Sequence, residues 1–322
     1  MNIVTAEVGI DVHKAMHFVS IDRGKPFEVE NSQEPLSLLV ERLPRPCVVH
    51  VEASGGYERL LVRLLREAGI EIRVHNALKA RRLSQAIGSA AKTDPVDSKA
   101  LSATGNLLPS YTPRSPERQT LTDLSRALDS IRECISELKK RRDMPEIDSS
   151  AKSVYSGAID ALTAELKAGR KQFETQVESS PFAEVYKVAQ SILGIGPETA
   201  RVCVSELPEN WKTASIASLS AYAGLAPIDD ASGQRTGKSR IGNGNRRLKG
   251  AFYMPALYAV RHLSWATNLY AGLRAKGRTH LQAIVAVMRR LFVRVVAVMK
   301  RGTPWQGEPP MNKITEQKAA MT

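Results

Sequence analysis

Residues 7–14 read Glu7-Val8-Gly9-Ile10-Asp11-Val12-His13-Lys14. Apolar side chains recur at every second position. Val8, Ile10 and Val12 therefore share one face of a predicted strand, and Gly9, Asp11 and His13 share the other. Working outward, strands are predicted at residues 17–21 and 27–30, joined by a turn at Arg23-Gly24-Lys25, and again at 47–52 and 70–74. Leucines at helical spacing predict helices over 35–43 and 57–68, the latter ended by Gly69; further helices are predicted over 77–87 and 95–103. Strands mixed with helices in this order predict an α/β domain, a mixed sheet packed by helices.

Four carboxylates stand out in this region. Asp11 and Glu52 each close a predicted strand, and Glu52 follows the apolar run Cys47-Val48-Val49-His50-Val51 and precedes Ala53-Ser54-Gly55-Gly56. If the two strands are neighbours, both acids emerge at one edge of the sheet. In Lys92-Thr93-Asp94-Pro95-Val96-Asp97, Pro95 suits the first helical position, which makes Asp94 the N-cap and puts Asp97 in the first turn. Residues three apart share a helix face. Acids so close repel unless a cation lies between them, and an oxygen-rich set of this kind favours Mg²⁺ or Mn²⁺. A plain helix cap for Asp94 and Asp97, and a strand-ending turn for Asp11, are the bland alternatives.

The 322 residues suggest about two domains, and 43% hydrophobic with 25% charged residues is ordinary for a soluble fold. Aromatics make up only 5% of the chain, so stacking on aromatic platforms is not the expected basis of nucleic-acid binding. Cys47, Cys134 and Cys203 are widely spaced and odd in number, which fits a reducing cytoplasm better than a disulfide framework. No signal peptide is visible. The most apolar stretch, 281–299, is interrupted by Arg289, Arg290 and Arg294, so a buried amphipathic helix is expected there, not a membrane span. The net charge is +13, and residues 231–307 hold 15 Lys and Arg with no Asp or Glu. A long segment of one sign is the footprint of a polyanion partner, with a basic solubilising face as the alternative.

In the middle of the chain Leu121, Leu124, Leu128, Ile131, Ile135 and Leu138, then Ile159, Leu162, Leu166 and Phe173, recur at spacings of two long helices broken near Met144-Pro145. Such helices pair with each other or with another subunit. From about Phe182 the pattern is one of short helices with glycine turns, then apolar helices around 252–265 and 280–300, and a polar tail after Pro304. Leu193-Gly194-Ile195-Gly196-Pro197 reads as a turn opening a helix. Its backbone N–H groups suit a phosphate, although a plain tight turn has the same sequence. Tyr222-Ala223-Gly224-Leu225-Ala226-Pro227 precedes Asp229-Asp230-Ala231-Ser232-Gly233-Gln234-Arg235. A Ser-Gly pair in a loop is weak by itself. Arg235, Lys238, Arg240, Arg246 and Arg247 follow it, however, and suit phosphate oxygens around the hydroxyl.

The three N-terminal motifs, 9–14, 52–57 and 92–97, resemble the signatures of the DEDD-type insertion-sequence transposases. The Gly-Ile-Gly turn, the Ala-Gly-Leu-Ala-Pro segment, the Ser-Gly pair and Tyr253-Met254-Pro255-Ala256 occur in that family's order. Together these motifs extend from about residue 5 to 305. One departure is Ser98, where alanine is commoner. The resemblance implies a ribonuclease-H-like (RuvC-like) domain over 1–112, a helical coiled-coil segment over 113–181, a mostly α-helical serine transposase domain over 182–305, and a loose tail over 306–322. It implies that Asp11, Glu52, Asp94 and Asp97 are metal ligands, that Mg²⁺ (or Mn²⁺) is the cofactor, and that Ser232 is the nucleophile in DNA strand exchange through a covalent phosphoserine. It further implies donor and target DNA, a structured non-coding guide RNA, and a homo-oligomer, dimer or tetramer, whose active sites are shared between subunits. Lys79, Arg81, Arg82, Gly194, Gly196, Arg235, Lys238, Arg240, Arg246 and Arg247 are the candidate nucleic-acid contacts. Three other readings share parts of the pattern. One is a hydrolytic junction resolvase with no serine intermediate; another is an actin-like or sugar-kinase-like ATPase, whose fold also begins with a Gly-x-Asp strand; the third is a non-catalytic nucleic-acid scaffold.

Overall fold

The computed structural model describes residues 5–86, 94–228, 240–242 and 244–307. The chain divides into two compact units, Met1–Arg114 and Ser115–Thr322.

The first unit is an α/β layer structure. Its strands are β1 (Ala6–Val12), β2 (Met16–Ile21), β3 (Phe27–Glu30), β4 (Cys47–Glu52), β5 (Glu71–His75) and β6 (Ser110–Tyr111). Its helices are α1 (Gln33–Arg42), α2 (Arg59–Glu67), α3 (Ala77–Ala86) and α4 (Asp94–Thr104). The sheet order is β3-β2-β1-β4-β5-β6. β2 runs antiparallel to both β1 and β3, β4 lies parallel to β1 and to β5, and β6 closes the edge antiparallel to β5. The alternation of β1 decides which helix covers which face. Val8 and Ile10 are fully buried in one core with Val19, Val49, Val51, Leu36, Leu39, Leu61 and Leu65, so α1 and α2 cover that side. On the other side Gly9 faces its cross-strand partner Ser20. Two small residues leave a shallow place in the sheet, and α4 lies in it. A Cβ on Gly9 would stand 2.2 Å from the Ser98 carbonyl oxygen and 2.3 Å from the Ser102 nitrogen. Ser98, the residue that departs from the family pattern, is buried and donates its hydroxyl to the Pro95 carbonyl (3.0 Å).

Two local details differ from expectation. In the β2–β3 connection the left-handed residues are Asp22 (φ 46°) and Arg23 (φ 62°), not Gly24. Asp22 accepts the Glu7 backbone N–H on its side chain (2.8 Å), a contact across to β1 that anchors the turn. The short β6 was not expected, because two residues carry no periodicity to read.

The second unit is helical, with a two-residue ribbon. It comprises α5 (Pro116–Arg142), α6 (Ser149–Glu178), α7 (Ala183–Ala189), α8 (Pro197–Glu206), α9 (Ile216–Tyr222), β7 (Pro227–Ile228), β8 (Arg240–Ile241), α10 (Arg246–Ala251), α11 (Tyr253–His262), α12 (Ser264–Ala275) and α13 (His280–Arg301). The Ser115 hydroxyl caps α5 by accepting from the Arg118 N–H, with Pro116 in the first turn, and Asp148 caps α6. The two long helices pack on each other. Gly169 leaves room for Leu128, which would lie 2.8 Å from a Cβ there. The stretch expected as one helix over 252–265 is two, because Leu263 is extended (φ −123°, ψ 118°) and starts α12. In α13 a Thr279/Gln282 capping box opens the helix and left-handed Gly302 closes it. Its Arg294 guanidinium lies 3.9 Å from the Trp265 ring centre and 5.2 Å from that of Trp305, so the arginine stacks on indoles at the edge of the core. Among the described residues no helix is long and apolar enough to cross a membrane.

α8 is buried at every residue from Thr199 to Glu206. A helix enclosed on all sides must find partners for its own polar groups. Arg201 reaches the Ser125 carbonyl (2.6 Å) and the Asp129 carboxylate (2.5 Å). Glu206 accepts from Arg126 Nε (2.9 Å) and from Asn245 Nδ2 (3.0 Å), and Arg247 Nε lies 3.3 Å away.

Candidate active site

The docking of α4 over Gly9 brings its N-terminal acids to the end of β1. Asp11 is nearly buried, at 6% exposure. His13 Nε2 lies 3.2 Å from Asp11 Oδ2 and 3.3 Å from Asp94 Oδ1. One donor atom from each of Asp11, His13 and Asp94 falls within 4.8 Å of the others. Burial pushes the Asp11 carboxyl above its ordinary value; His13 opposes that rise, and Asp94 and Asp97 add to it by like-charge repulsion. Glu52 arrives by sheet register. Ile10 pairs with Val51 in the parallel β1–β4 ladder, so the next step places Glu52 beside Asp11, both at the C-terminal ends of their strands. Glu52 and Asp97 then line one cleft of about 330 Å³, walled by Ala77, Ala80, Ala100 and Leu101, with Arg81 on its rim side.

The donor set suits a divalent cation. Its members are two carboxylates, Asp11 and Asp94, and the His13 imidazole. A shared cation would offset both the burial that chiefly raises Asp11 and the smaller repulsion from Asp94 and Asp97. Asp94 and Asp97 both lie in the first described turn of α4, where the macrodipole favours negative charge.

Behind the carboxylates, on the same sheet face, runs a buried polar row. His50 Nε2 donates to Glu7 Oε2 (2.5 Å), and His50 Nδ1 lies 2.9 Å from His75 Nε2. Both imidazoles are fully buried. Burial pushes His50 below the ordinary histidine value and His75 down to about 4. His75 is the register partner of Glu52. Gly105 makes room for His50, whose Cγ would stand 2.3 Å from a Cβ there.

The remaining candidate residues fall in several places. Lys79, Arg81 and Arg82 are exposed on α3, which packs beside α4. Gly194 is left-handed (φ 90°), and Tyr258 packs against it where a Cβ would come within 2.8 Å. Gly196 is the N-cap of α8. Arg246 is exposed. Arg247, in contrast, turns inward to Asp129 (2.5 Å) and Glu206. Arg240 lies in β8. Ser232, Arg235 and Lys238 lie outside the described residues.

The base of the segment that holds Ser232 is described, and it is tightly built. β7 pairs with β8. Gly224 and Gly244 touch backbone to backbone, leaving 2.1 Å between a Cβ on Gly244 and the Gly224 nitrogen. The Asn245 N–H donates to the Tyr222 carbonyl (2.7 Å), and Tyr222 Oη donates to the Glu206 carbonyl (3.1 Å).

Sequence reasoning passed over His13, Asp129 and Glu206. His13 had a signal, since it follows Asp11 by two residues on one strand face. Asp129 and Glu206 had none; each reads as an ordinary acid on a helix.

Comparison with known proteins assigns both units. A transposase model for the IS110 DEDD type matches residues 8–143, and a second, described as transposase of the IS116/IS110/IS902 family, matches residues 186–271. The insertion element IS110 uncharacterized 43.6 kDa protein of Streptomyces coelicolor is 28% identical over 156 residues, covering 48% of this chain and 38% of that protein. The chain thus spans well under half the length of that relative. The pilin gene-inverting proteins of Moraxella lacunata and Moraxella bovis are 25% and 24% identical over 262 and 261 residues, in each case 79% of this chain and 80% of the relative. With two models of one family matching in order along the chain, the protein belongs to the IS110/IS116/IS902 family of insertion-sequence transposases.

Proposed function

We propose that the chain is a DNA transposase/recombinase in which Asp11, Glu52, Asp94 and Asp97 hold Mg²⁺ or Mn²⁺ and Ser232 is the nucleophile. The observation that carries this reading is the convergence of Asp11 and Asp94, from opposite ends of the first unit's sequence, across Gly9. The order β3-β2-β1-β4-β5, with β2 antiparallel and β4 and β5 parallel to β1, supports a ribonuclease-H-like assignment for that unit.

In the proposed reaction Ser232 Oγ attacks a DNA phosphorus. An Oγ–P bond forms, a P–O bond of the DNA breaks, and the departing DNA oxygen takes up a proton as Oγ loses one. The phosphoserine conserves the ester, so rejoining to a second DNA end needs no nucleotide cofactor. A bound divalent cation supplies neutralisation of the phosphoryl oxygens. Asp11 and Glu52 provide fixed strand-borne carboxylates, while Asp94 and Asp97 provide helix-borne ones. Lys79, Arg81, Arg82 and Arg246 are exposed and suit backbone phosphates; Arg247 serves instead to hold α10 against α5 and α8. The acid-free segment 231–307 supports a nucleic-acid partner, in this reading both DNA and a structured guide RNA. The α5–α6 pair suits assembly of a homo-oligomer.

The test is to incubate full-length protein with element-end DNA, the transcript of the flanking non-coding region and Mg²⁺, then to map any protein–DNA adduct by mass spectrometry. An adduct on Ser232, absent in Ser232→Ala and in Asp11→Asn, is expected. Strand cleavage retained in Ser232→Ala would overturn the serine mechanism in favour of hydrolysis by water.

A further inference from the structure

We propose that His13 Nε2 is itself a ligand of the cation held by Asp11 and Asp94, giving a mixed nitrogen–oxygen site that favours Mn²⁺ over Mg²⁺; this rests on the metal reading above. Three observations carry the proposal. First, the imidazole nitrogen bridges acids from two different elements, 3.2 Å from Asp11 on β1 and 3.3 Å from Asp94 on α4. Adjacent ligands at right angles around an ion with bonds of about 2.1 Å stand about 3 Å apart. The spacing seen, that of a hydrogen bond between His13 Nε2 and Asp11, also fits neighbouring positions in one coordination shell.

Second, His13 is held in place from several directions. Its backbone N–H donates to the Met16 carbonyl (3.2 Å) and closes the β1–β2 turn. Asn31 Nδ2 donates to the His13 and Lys14 carbonyls (3.2 and 3.3 Å) and to that of Tyr57 (3.2 Å). The Phe18 ring meets the imidazole edge-on, with centroids 6.1 Å apart at 88°.

Third, His13 contributes little to the core. Its side chain is 45% exposed, so it caps the open side of the acid pair, where an ion in exchange with solvent would enter. A neutral imidazole is a better ligand for first-row transition metals than for Mg²⁺, and among those metals Mn²⁺ is the one that carboxylate oxygens also suit.

The experiment uses the full chain loaded with Mn²⁺ and electron spin-echo envelope modulation spectroscopy. A directly bound imidazole nitrogen gives ¹⁴N modulation. The expected result is modulation in the wild type and none in His13→Ala. Calorimetric titration should show Mn²⁺ affinity reduced at least about tenfold in His13→Ala, with Mg²⁺ affinity changed by less than that factor. If the wild type binds Mn²⁺ without nitrogen modulation, His13 is a positioning group and the proposal fails while the metal reading stands. If Mn²⁺ does not bind and Asp11→Asn is indistinguishable from the wild type in titration, both fail.

Discussion

Gly9→Ala tests the packing from which the candidate site follows. The added methyl would stand 2.2 Å from the Ser98 carbonyl oxygen, 1.2 Å short of the 3.4 Å at which ordinary contact begins, and 2.3 Å from the Ser102 nitrogen. Both obstacles are helix backbone, which cannot rotate aside as a side chain can. α4 must therefore move bodily by about 1 Å or the strand must bow away, a kind of overpacking that costs about 1–3 kcal/mol. Asp94 and Asp97 move with α4, whereas Asp11 and Glu52 stay with the sheet. Metal sites tolerate displacements of only about 0.2 Å, so Mn²⁺ affinity should fall by about 100-fold, the upper end for disturbed ligand placement. Calorimetric titration measures the affinity, and hydrogen exchange of peptides from β1 and α4 measures the loosening. Trp211, Trp265 and Trp305 all lie in the second unit, so unfolding followed by tryptophan fluorescence should be unchanged and serves as an internal control. Wild-type Mn²⁺ affinity together with wild-type exchange protection in α4 would refute the reasoning. The same substitution at Gly157, exposed within α6 with nothing within 4 Å of an added Cβ, should instead stabilise the second unit, by about 1 kcal/mol.

Three further outcomes are expected. His75 is held neutral in the fold, with its value lowered from 6.5 to about 4. Its contribution is fully present above pH 6.5 and is lost as pH falls from 6.5 towards 4, about 3 kcal/mol in all; urea titrations monitored by exchange in β5 should show this loss, and His75→Phe should flatten it. Glu206→Ala removes the partner of Arg126 and Asn245 from a fully buried position and should cost about 3–5 kcal/mol in the second unit, read by tryptophan fluorescence in urea. Lengthening the segment between β7 and β8 by two glycines should leave that same unfolding transition within about 0.6 kcal/mol of wild type, because loop closure grows only slowly with length.

The elements with strong periodicity were legible in the sequence. β1, β4 and the two long helices follow from alternation and from leucine spacing, because burial of one face is enough to specify them. β6, β7 and β8 are two residues each, too short for any period. The break at Leu263 was invisible because nothing in Tyr258-Ala259-Val260-Arg261-His262-Leu263-Ser264 forbids continuing the helix. Of the candidate site, the four acids could be picked out one by one, but their convergence could not. It depends on α4 settling over Gly9 and Ser20, a contact between residues far apart in sequence. His13 was visible as a letter in a motif and became a candidate ligand only once Asp94 stood beside it. The inward turn of Arg247 was likewise beyond reach, since its partners Asp129 and Glu206 lie on helices well before it.

The seat of α4 on β1 also has a consequence for the order in which the chain matures. About 90 residues separate Gly9 from Ser98, and at a synthesis rate of about 5–20 residues per second the first strand waits roughly 5–20 s for its cover. Through that interval β1, β2, β4 and β5 can pair, and α1 and α2 can close one face. The other face, with Gly9, Ser20, His50 and His75, stays wet. Its sparing use of large apolar side chains makes that wait harmless: a nascent sheet with histidines and small residues on its open side offers little for other chains to stick to. Contacts of such long sequence range form late and slow the approach to the native state, so the first strand made is among the last to be finished.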